Sequence, residues 1–588
     1  ETSRSIEASV LLRTPEAVQQ FGQTGAIYVA GFGTVEFESV RIQKPSGVWN
    51  DVKDGQVEDL NPFGTAEAPI VADLRFKRLT ILGIEPGDRL SYTLVASQKP
   101  FVAGQAYGEM KFSHVPMDGP QVYELDVPLA MKLRVNVRSG FGAAWEVGSG
   151  PANRLVRRLQ AIIPPADVPG VGLTEAQTQL LHLPDVSFTT FPSWSKVGQW
   201  WWEMSRSQVA SDATIQREAE RVTAASKTPR EKVHALGSFV STNILHVNVS
   251  FAKGRMQPRP AALVLSSRYG DGKDKVGLLM ALSSAVGLEV RPAFLHTQRN
   301  ELQEDTPGPQ QFDHVIAVAV LGPTEKDGLW IDATNAFTSP LSLMPALRDK
   351  RALAIDRTGM GFLVRTPALP PQPSRRSVTL TGTIETSGRF KGRVRIEDRS
   401  DNEPGLRASF AAAPPARHAE MIRTSLGRTW SLAKITSVSI ASPTDLAAPF
   451  WLEFDFERGV PGIEAEKEWK FWIPDLGPVL QEGAIDATAN RPVAFDVGEV
   501  AFEASVDIPE NLIARPPAAV TLNRPFATLV SSYTVSGRTL AVNRVMRLIA
   551  PSISAEQLLD YETFRNAAAT DRAEDFVLGP MKITPPAR

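Results

Sequence analysis

The hydrophobic period of this chain changes twice, and each change falls beside a proline-rich break: Ile163-Pro-Pro-Ala-Asp-Val-Pro-Gly170 and Thr366-Pro-Ala-Leu-Pro-Pro-Gln-Pro373. Apolar residues that recur every second position suit a half-buried strand, and those that recur every three to four suit a helix face. A chain of 588 residues also exceeds what one hydrophobic core can hold. The breaks therefore predict separate folded parts. Residues 1–165 show short Val, Ile, Leu and Phe alternations between turn signals such as Lys44-Pro-Ser-Gly47 and Glu85-Pro-Gly-Asp88, which predicts an N-terminal β-sandwich domain. Residues 166–211 form a connector with Trp194, Trp200, Trp201 and Trp202. Such a cluster could bind sugars, but burial against both neighbouring domains is the more ordinary use of consecutive tryptophans, and no ligand is expected there.

From Asp212 the period becomes helical, through Ile215, Ala219, Val222 and Ala225 and then Val233, Leu236, Phe239 and Val240. A strand at 245–250, a short helix at 260–267 and a longer helix with Leu278, Leu279, Leu282 and Val286 on its apolar side follow, ended by Gly287. Strands at 288–296, 313–321 and 328–332 complete a helix-then-sheet domain over 212–365. Residues 366–588 read as a second β-sandwich with a terminal helix. Its strands include 379–383, 392–396 and 520–522, and its helix opens on the capping pair Ser554 and Gln557 and carries Leu558, Leu559 and Phe564. The fold class is α+β and multidomain.

Charge excludes some partners. A net charge of -2 without clustered Lys and Arg argues against nucleic acid. No apolar run reaches the roughly 20 residues of a membrane span; Val315-Ile-Ala-Val-Ala-Val-Leu321 has strand length. The absence of cysteine rules out disulfides and thiolate metal sites, and the 7 histidines lack ligand spacing, so no cofactor and no metal are expected. A long chain without a thiol suits an oxidising compartment, and the start at Glu1 points to a removed leader. The expectation is an exported protein of the periplasm or the cell exterior.

Three segments of the central domain occur in an order that carries chemistry. The first runs Gln257-Pro-Arg-Pro-Ala-Ala-Leu-Val-Leu-Ser-Ser-Arg-Tyr-Gly-Asp-Gly-Lys-Asp-Lys-Val-Gly-Leu-Leu-Met280, the second Phe312-Asp-His-Val-Ile-Ala-Val318, the third Leu329-Trp-Ile-Asp-Ala-Thr334. Together they resemble the bacterial transglutaminase-like family, over roughly residues 210–350. The segment Arg78-Leu-Thr-Ile-Leu-Gly-Ile-Glu-Pro-Gly-Asp-Arg-Leu-Ser-Tyr-Thr-Leu94 is similar to the N-terminal domain of unknown function that often precedes that core in exported proteins. The resemblance implies a papain-like core with a Cys-His-Asp triad, His314 as general base and Asp332 as the group that orients it. Where related sequences have the nucleophilic Cys, this chain has Gly272. Glycine has no side chain to deprotonate, so thiolate attack cannot start there.

The residues support that alignment on their own terms. Asp271 is a natural N-cap, which puts position 272 in a first helical turn where the macrodipole favours a thiolate. A lone His at a strand start is usually a half-buried polar residue, and an Asp before Ala-Thr is usually a turn former, so only the three segments together make His314 and Asp332 a vestigial triad. Ser266, Ser267, Lys273 and Asp274 lie near position 272, but each would need a relocated site. The polar segment 297–311, with Pro307 and Pro309, reads as a mobile loop over the cleft. The leading reading is an exported pseudoenzyme that binds a protein or peptide or takes part in assembly. The alternatives left open are a cysteine-type transamidase or peptidase with a substituted nucleophile, a hydrolase in which His314 activates water, and a purely structural, self-assembling subunit.

Overall fold

The computed structural model describes residues 2–52, 57–60, 74–99, 102–112, 121–138, 145–149, 154–161, 182–247, 256–322, 328–370, 373–426, 433–446, 448–459, 468–473, 493–494, 497–550 and 552–580. The first proline-rich break lies outside them, as do residues 248–250 of the expected 245–250 strand. The chain divides into two compact units, Glu1–Asn335 with Ala346–Pro367, and Ala336–Pro345 with Ala368–Arg588.

The N-terminal part of the first unit is built from two pairs of sheets rather than one sandwich. In the first pair, Thr2–Leu11, Arg89–Gln98, Gly33–Gln43 and Trp49–Asp51 form one sheet and Gln23–Val29, Leu74–Thr80 and Val57–Leu60 the other. Leu12, Val40, Ile42, Leu79, Ile81 and Leu90 share one buried cluster. The two turn signals meet: Lys44 Nζ donates to Asp88 at 2.7 Å, and the Glu85 N–H donates to the same oxygen at 2.9 Å. In the second pair, Arg134–Val137, Val186–Thr189 and Tyr107–Met110 form one sheet and Trp145–Ser149, Arg154–Ala161 and Gln121–Pro128 the other. Val186–Thr189 falls in the segment read as connector. Its polar residues Ser187 and Thr189 are fully buried, which their chemistry does not suggest.

The helix Trp194–Ser205 leads into the core. Trp201 is buried edge-on against Phe294 at 5.3 Å and donates its indole N–H to the Met256 carbonyl at 2.9 Å, while Trp200 lies 6.2 Å from Phe191, itself 5.7 Å from Tyr107. The tryptophans thus pack against both the N-terminal sheets and the core sheet. That sheet is antiparallel, in the order Leu329–Ile331, His314–Val320, Glu289–Leu295, Arg351–Ile355 and Gly361–Arg365. Helices Ala213–Thr223, Pro229–Asn243 and Ala261–Ser267 surround the helix Gly272–Ala285, which also lies on the sheet. Residues 273–283 of that helix are buried on every side, not on the single apolar face that the spacing predicts. Of its polar members, Asp274 and Lys275 are met by distant partners, Arg259 and the carbonyls of Ser241 and Ile244. Gly287 follows it with φ +77°, the left-handed cap that glycine permits.

The second unit is not a plain sandwich. Eight strands form one sheet, in the order Lys434–Ile440, Phe450–Gly459, Arg389–Arg399, Ser374–Ile384, Gly498–Asp507, Thr539–Leu548, Ala527–Ser536 and Val520–Asn523. Phe450, Leu452, Phe454 and Phe456 alternate inward and share a buried cluster with Phe410 and Ile422, of helices Glu403–Ala412 and Pro415–Ser425, and with Phe471, Leu512 and Phe576 of a small sheet. Helices therefore take part of the layer expected to be sheet. The reason was not visible in the pattern: Arg407, which reads as a solvated residue, is fully buried, donating to Glu403 and to the carbonyls of Ser442, Pro443, Asp445 and Ala448. The helix Leu558–Arg572 covers the rest of the sheet with Leu558 and Phe564 buried, while Leu559 is exposed. The Ser554 N–H donates to Gln557 Oε1 at 3.1 Å across a 3-10 turn, so the capping pair sits one turn before the α-helix.

Candidate functional site

The loop before Gly272 is fixed by charge and hydrogen bonds. Asp271 caps the helix by accepting from the Asp274 N–H at 3.1 Å, and Asp274 accepts in return from the Asp271 N–H at 3.4 Å. Asp274 is wholly buried and also accepts from the Arg259 N–H and Nε, both at 2.8 Å. The Arg259 guanidinium sits over the Tyr269 ring at 4.7 Å and donates to the Tyr269 carbonyl. A Cβ on Gly270 would come within 2.7 Å of Asp274 Cβ, so glycine is required there. Gly272 differs. A Cβ there would meet nothing nearer than Thr334 Cγ2 at 3.4 Å, with His314 Cε1 at 4.0 Å. The fold does not demand a glycine at 272; a Cβ there would fit, on the side of Thr334 and His314.

His314 opens its strand and Asp332 follows the neighbouring one. Their Nε2 and Oδ1 atoms are 3.6 Å apart, an ion-pair separation slightly longer than a hydrogen bond. Asp332 is buried, and its Oδ1 accepts from the Thr334 N–H at 2.9 Å and hydroxyl at 2.7 Å. Asp356 holds Thr358 in the same way far along the chain, so the Thr334 contacts form a common turn rather than an activated nucleophile. Burial alone would push the His314 imidazole down, but the Asp332 carboxylate, with help from Asp313, more than offsets this and raises its pKa. Burial likewise pushes Asp332 up, and the neighbouring His314 imidazole together with the Thr334 donors brings its pKa below the ordinary value.

The signs define a pH window. His314 holds its proton better folded than unfolded, so its contribution to stability is full below about pH 6.5 and fades as pH rises through the folded value. Asp332 contributes fully above about pH 4 and loses its effect as pH falls through its lowered folded value. The couple is therefore at full strength between these limits. Asp332→Asn is expected to move His314 below the ordinary histidine value in a proton NMR titration, because burial then dominates. A titration unchanged from the parent would exclude Asp332 as its partner.

The other polar groups near position 272 are engaged in contacts of their own. Lys273 is ion-paired to Asp271, and Asp274 belongs to the Arg259 brace. Ser266 donates to the Leu263 carbonyl, and Ser267 to those of Val264 and Tyr269. Lys275 carries no signal in the sequence beyond its place in the first of the three segments. It is fully buried, and its Nζ donates to the Ser241 and Ile244 carbonyls at 3.2 and 2.7 Å. Burial pulls its pKa down to about 8, against the opposing pull of Asp332. The 297–311 segment, expected to be a mobile loop, is packed and internally hydrogen-bonded. Thr306 and Gln311 are buried, and Gln311 accepts from the Gln303 N–H at 2.7 Å and donates to the carbonyls of Gln303 and Thr306. Side-chain amide and hydroxyl groups give this segment an interior that its polar composition concealed.

Among the described residues, no group of three or more His, Asp or Glu is placed to hold a metal ion, and no helix is long and apolar enough to cross a membrane. Residues 1–148 match the family model of a domain of unknown function with a solved structure, DUF3857. Comparison with curated protein sequences gives no match. A candidate protease from Parabacteroides distasonis ATCC 8503 is similar in structure over 98% of this chain and 96% of its own, with a TM-score of 0.64 and 13% identity. A candidate cysteine protease from Cytophaga hutchinsonii aligns over 56% of this chain and 74% of its own at 14% identity, with a TM-score of 0.16, too low to bear on the fold. The chain thus has a strand-rich, multidomain fold shared along nearly its whole length with the Parabacteroides protein, and its N-terminal part matches that domain of unknown function.

Proposed function

We propose that this protein is an exported transglutaminase-like pseudoenzyme, a papain-like core joined to β domains, whose thiol-free cleft binds an extended protein or peptide segment. The observation that carries this reading is the side-chain-free position 272 at a braced helix N-terminus, with the His314–Asp332 couple beside it. Acyl transfer through a covalent intermediate needs a nucleophile at that place, and binding does not. His314 is only 19% exposed yet not sealed, so the position is within reach of a ligand lying over it. The chain's lack of cysteine supports an oxidising, exported setting.

The test uses a peptide array and the variant Gly272→Trp, which fills the space above the helix. The parent is expected to bind a subset of peptides, the variant to bind them at least about tenfold more weakly, a loss of about 1.4 kcal/mol, and mass spectrometry to find the peptides intact. Equal binding by both proteins, or no binding by the parent, would refute a cleft-borne function. Cleavage by the parent that is lost in His314→Ala would make it instead a hydrolase in which the imidazole activates water.

A further inference from the structure

We infer that the N-terminal β part positions His314 in cis, through the segment 296–313 that it holds on Glu109, Ser187 and Thr189. This segment joins the strand Glu289–Leu295 to His314, and it is tied at both ends of its course. Arg299 donates both terminal nitrogens to Glu109 at 2.9 and 2.8 Å, in a bidentate pair whose side chains are only 10% and 13% exposed. Its Nε donates to the His182 carbonyl at 2.7 Å. Ser187 Oγ lies 2.9 Å from Thr306 Oγ1 and also bonds Gln303, and Thr189 Oγ1 donates to the Pro307 carbonyl at 2.7 Å. Glu109, Ser187 and Thr189 stand on two paired strands of one sheet, with Ser187 directly opposite Glu109.

The other end reaches the site. Asp313 accepts from the Thr297 N–H and hydroxyl, each at 2.7 Å, and lies 3.3 Å from His296. Asp313 is one of the two carboxylates that raise the His314 pKa, Asp332 being the other; His246, beside the Tyr269 strand, is the further ionisable group that senses His314. A segment released from Glu109 would free Thr297 and Asp313 together, and the start of the His314 strand with them. Buried bidentate pairs of this kind fix orientation, because removing one partner leaves the other charge without compensation. The N-terminal β part, of which Glu109 lies within the matched residues 1–148 and Ser187 and Thr189 beyond them, would then be a brace for the cleft, whatever the cleft binds.

The experiment compares the full chain with Arg299→Gln, and with Val40→Ala as a control in the first sheet pair, which touches none of these groups. Hydrogen exchange of residues 296–313 and the NMR titration of His314 are read in each. Arg299→Gln is expected to speed exchange across the segment at least about tenfold and to shift the His314 titration downward, with both readings unchanged in Val40→Ala. If Arg299→Gln does not fold, the double variant Ser187→Ala/Thr189→Val is judged by the same two readings. Faster exchange with an unmoved His314 titration would reduce the segment to a structural link and overturn the inference, as would an unchanged exchange rate.

Discussion

Gly272→Cys is expected to yield a thiol that alkylates as a thiolate well below the pKa of about 8.5 of an unperturbed cysteine. The added Cβ fits, with Thr334 Cγ2 at 3.4 Å as its nearest neighbour and His314 Cε1 at 4.0 Å. Two fields favour the anion there: the N-terminus of a 14-residue helix, worth about 0.3–1 kcal/mol or more when partly buried, and the imidazolium that Asp332 helps to keep protonated. The Asp271 carboxylate opposes them, but Lys273 is ion-paired to it. A drop of one unit corresponds to about 1.4 kcal/mol and gives roughly tenfold more thiolate at acidic pH. The measurement is the pH dependence of iodoacetamide alkylation. His314→Ala added to Gly272→Cys should move the profile back toward 8.5. Peptide-amide turnover by the single variant is expected to stay weak, since a thiolate supplies neither oxyanion donors nor substrate alignment. A profile at 8.5 in the single variant would mean that the site does not stabilise a thiolate, and the proposed pseudoenzyme would then be better described as a scaffold.

The largest stability effect is expected at Asp274. Asp274→Ala removes the acceptor of three Arg259 and Asp271 donors and leaves the Arg259 side chain, 10% exposed, without its carboxylate. Breaking a buried pair from one side costs about 3–5 kcal/mol, whereas replacing both partners with apolar residues is often close to neutral. Asp274→Ala should therefore lower the denaturant midpoint of the first unit strongly, and Arg259→Met/Asp274→Leu should recover much of the loss. The two units call for a probe specific to the first, such as hydrogen exchange of the helix Gly272–Ala285, because a single two-state transition is not expected of a multidomain chain. A midpoint that moves no more than in Asp126→Ala, which breaks an exposed pair in the same unit, would show that the brace around the 272 loop is not what holds it.

Local signals fixed the elements of the site. An Asp before a helical period caps it, an apolar run of seven after His314 makes a buried strand, and Gly287 ends the helix because only a left-handed residue fits there. These depend on neighbours in sequence, so residues 271–287 and 314–320 could be placed from the chain alone. What tertiary structure decided lies wherever a polar residue is buried against a distant partner. Arg407, Lys275, Ser187, Thr189 and much of the 296–313 segment are polar, and each is inside because acceptors or donors tens to over a hundred residues away complete its hydrogen bonds. Hydrophobic periodicity reports which side chains leave water to avoid it. It cannot report those that leave water because the fold replaces each of their hydrogen bonds, and for that reason the helices over the second unit's sheet and the brace behind His314 became visible only in three dimensions.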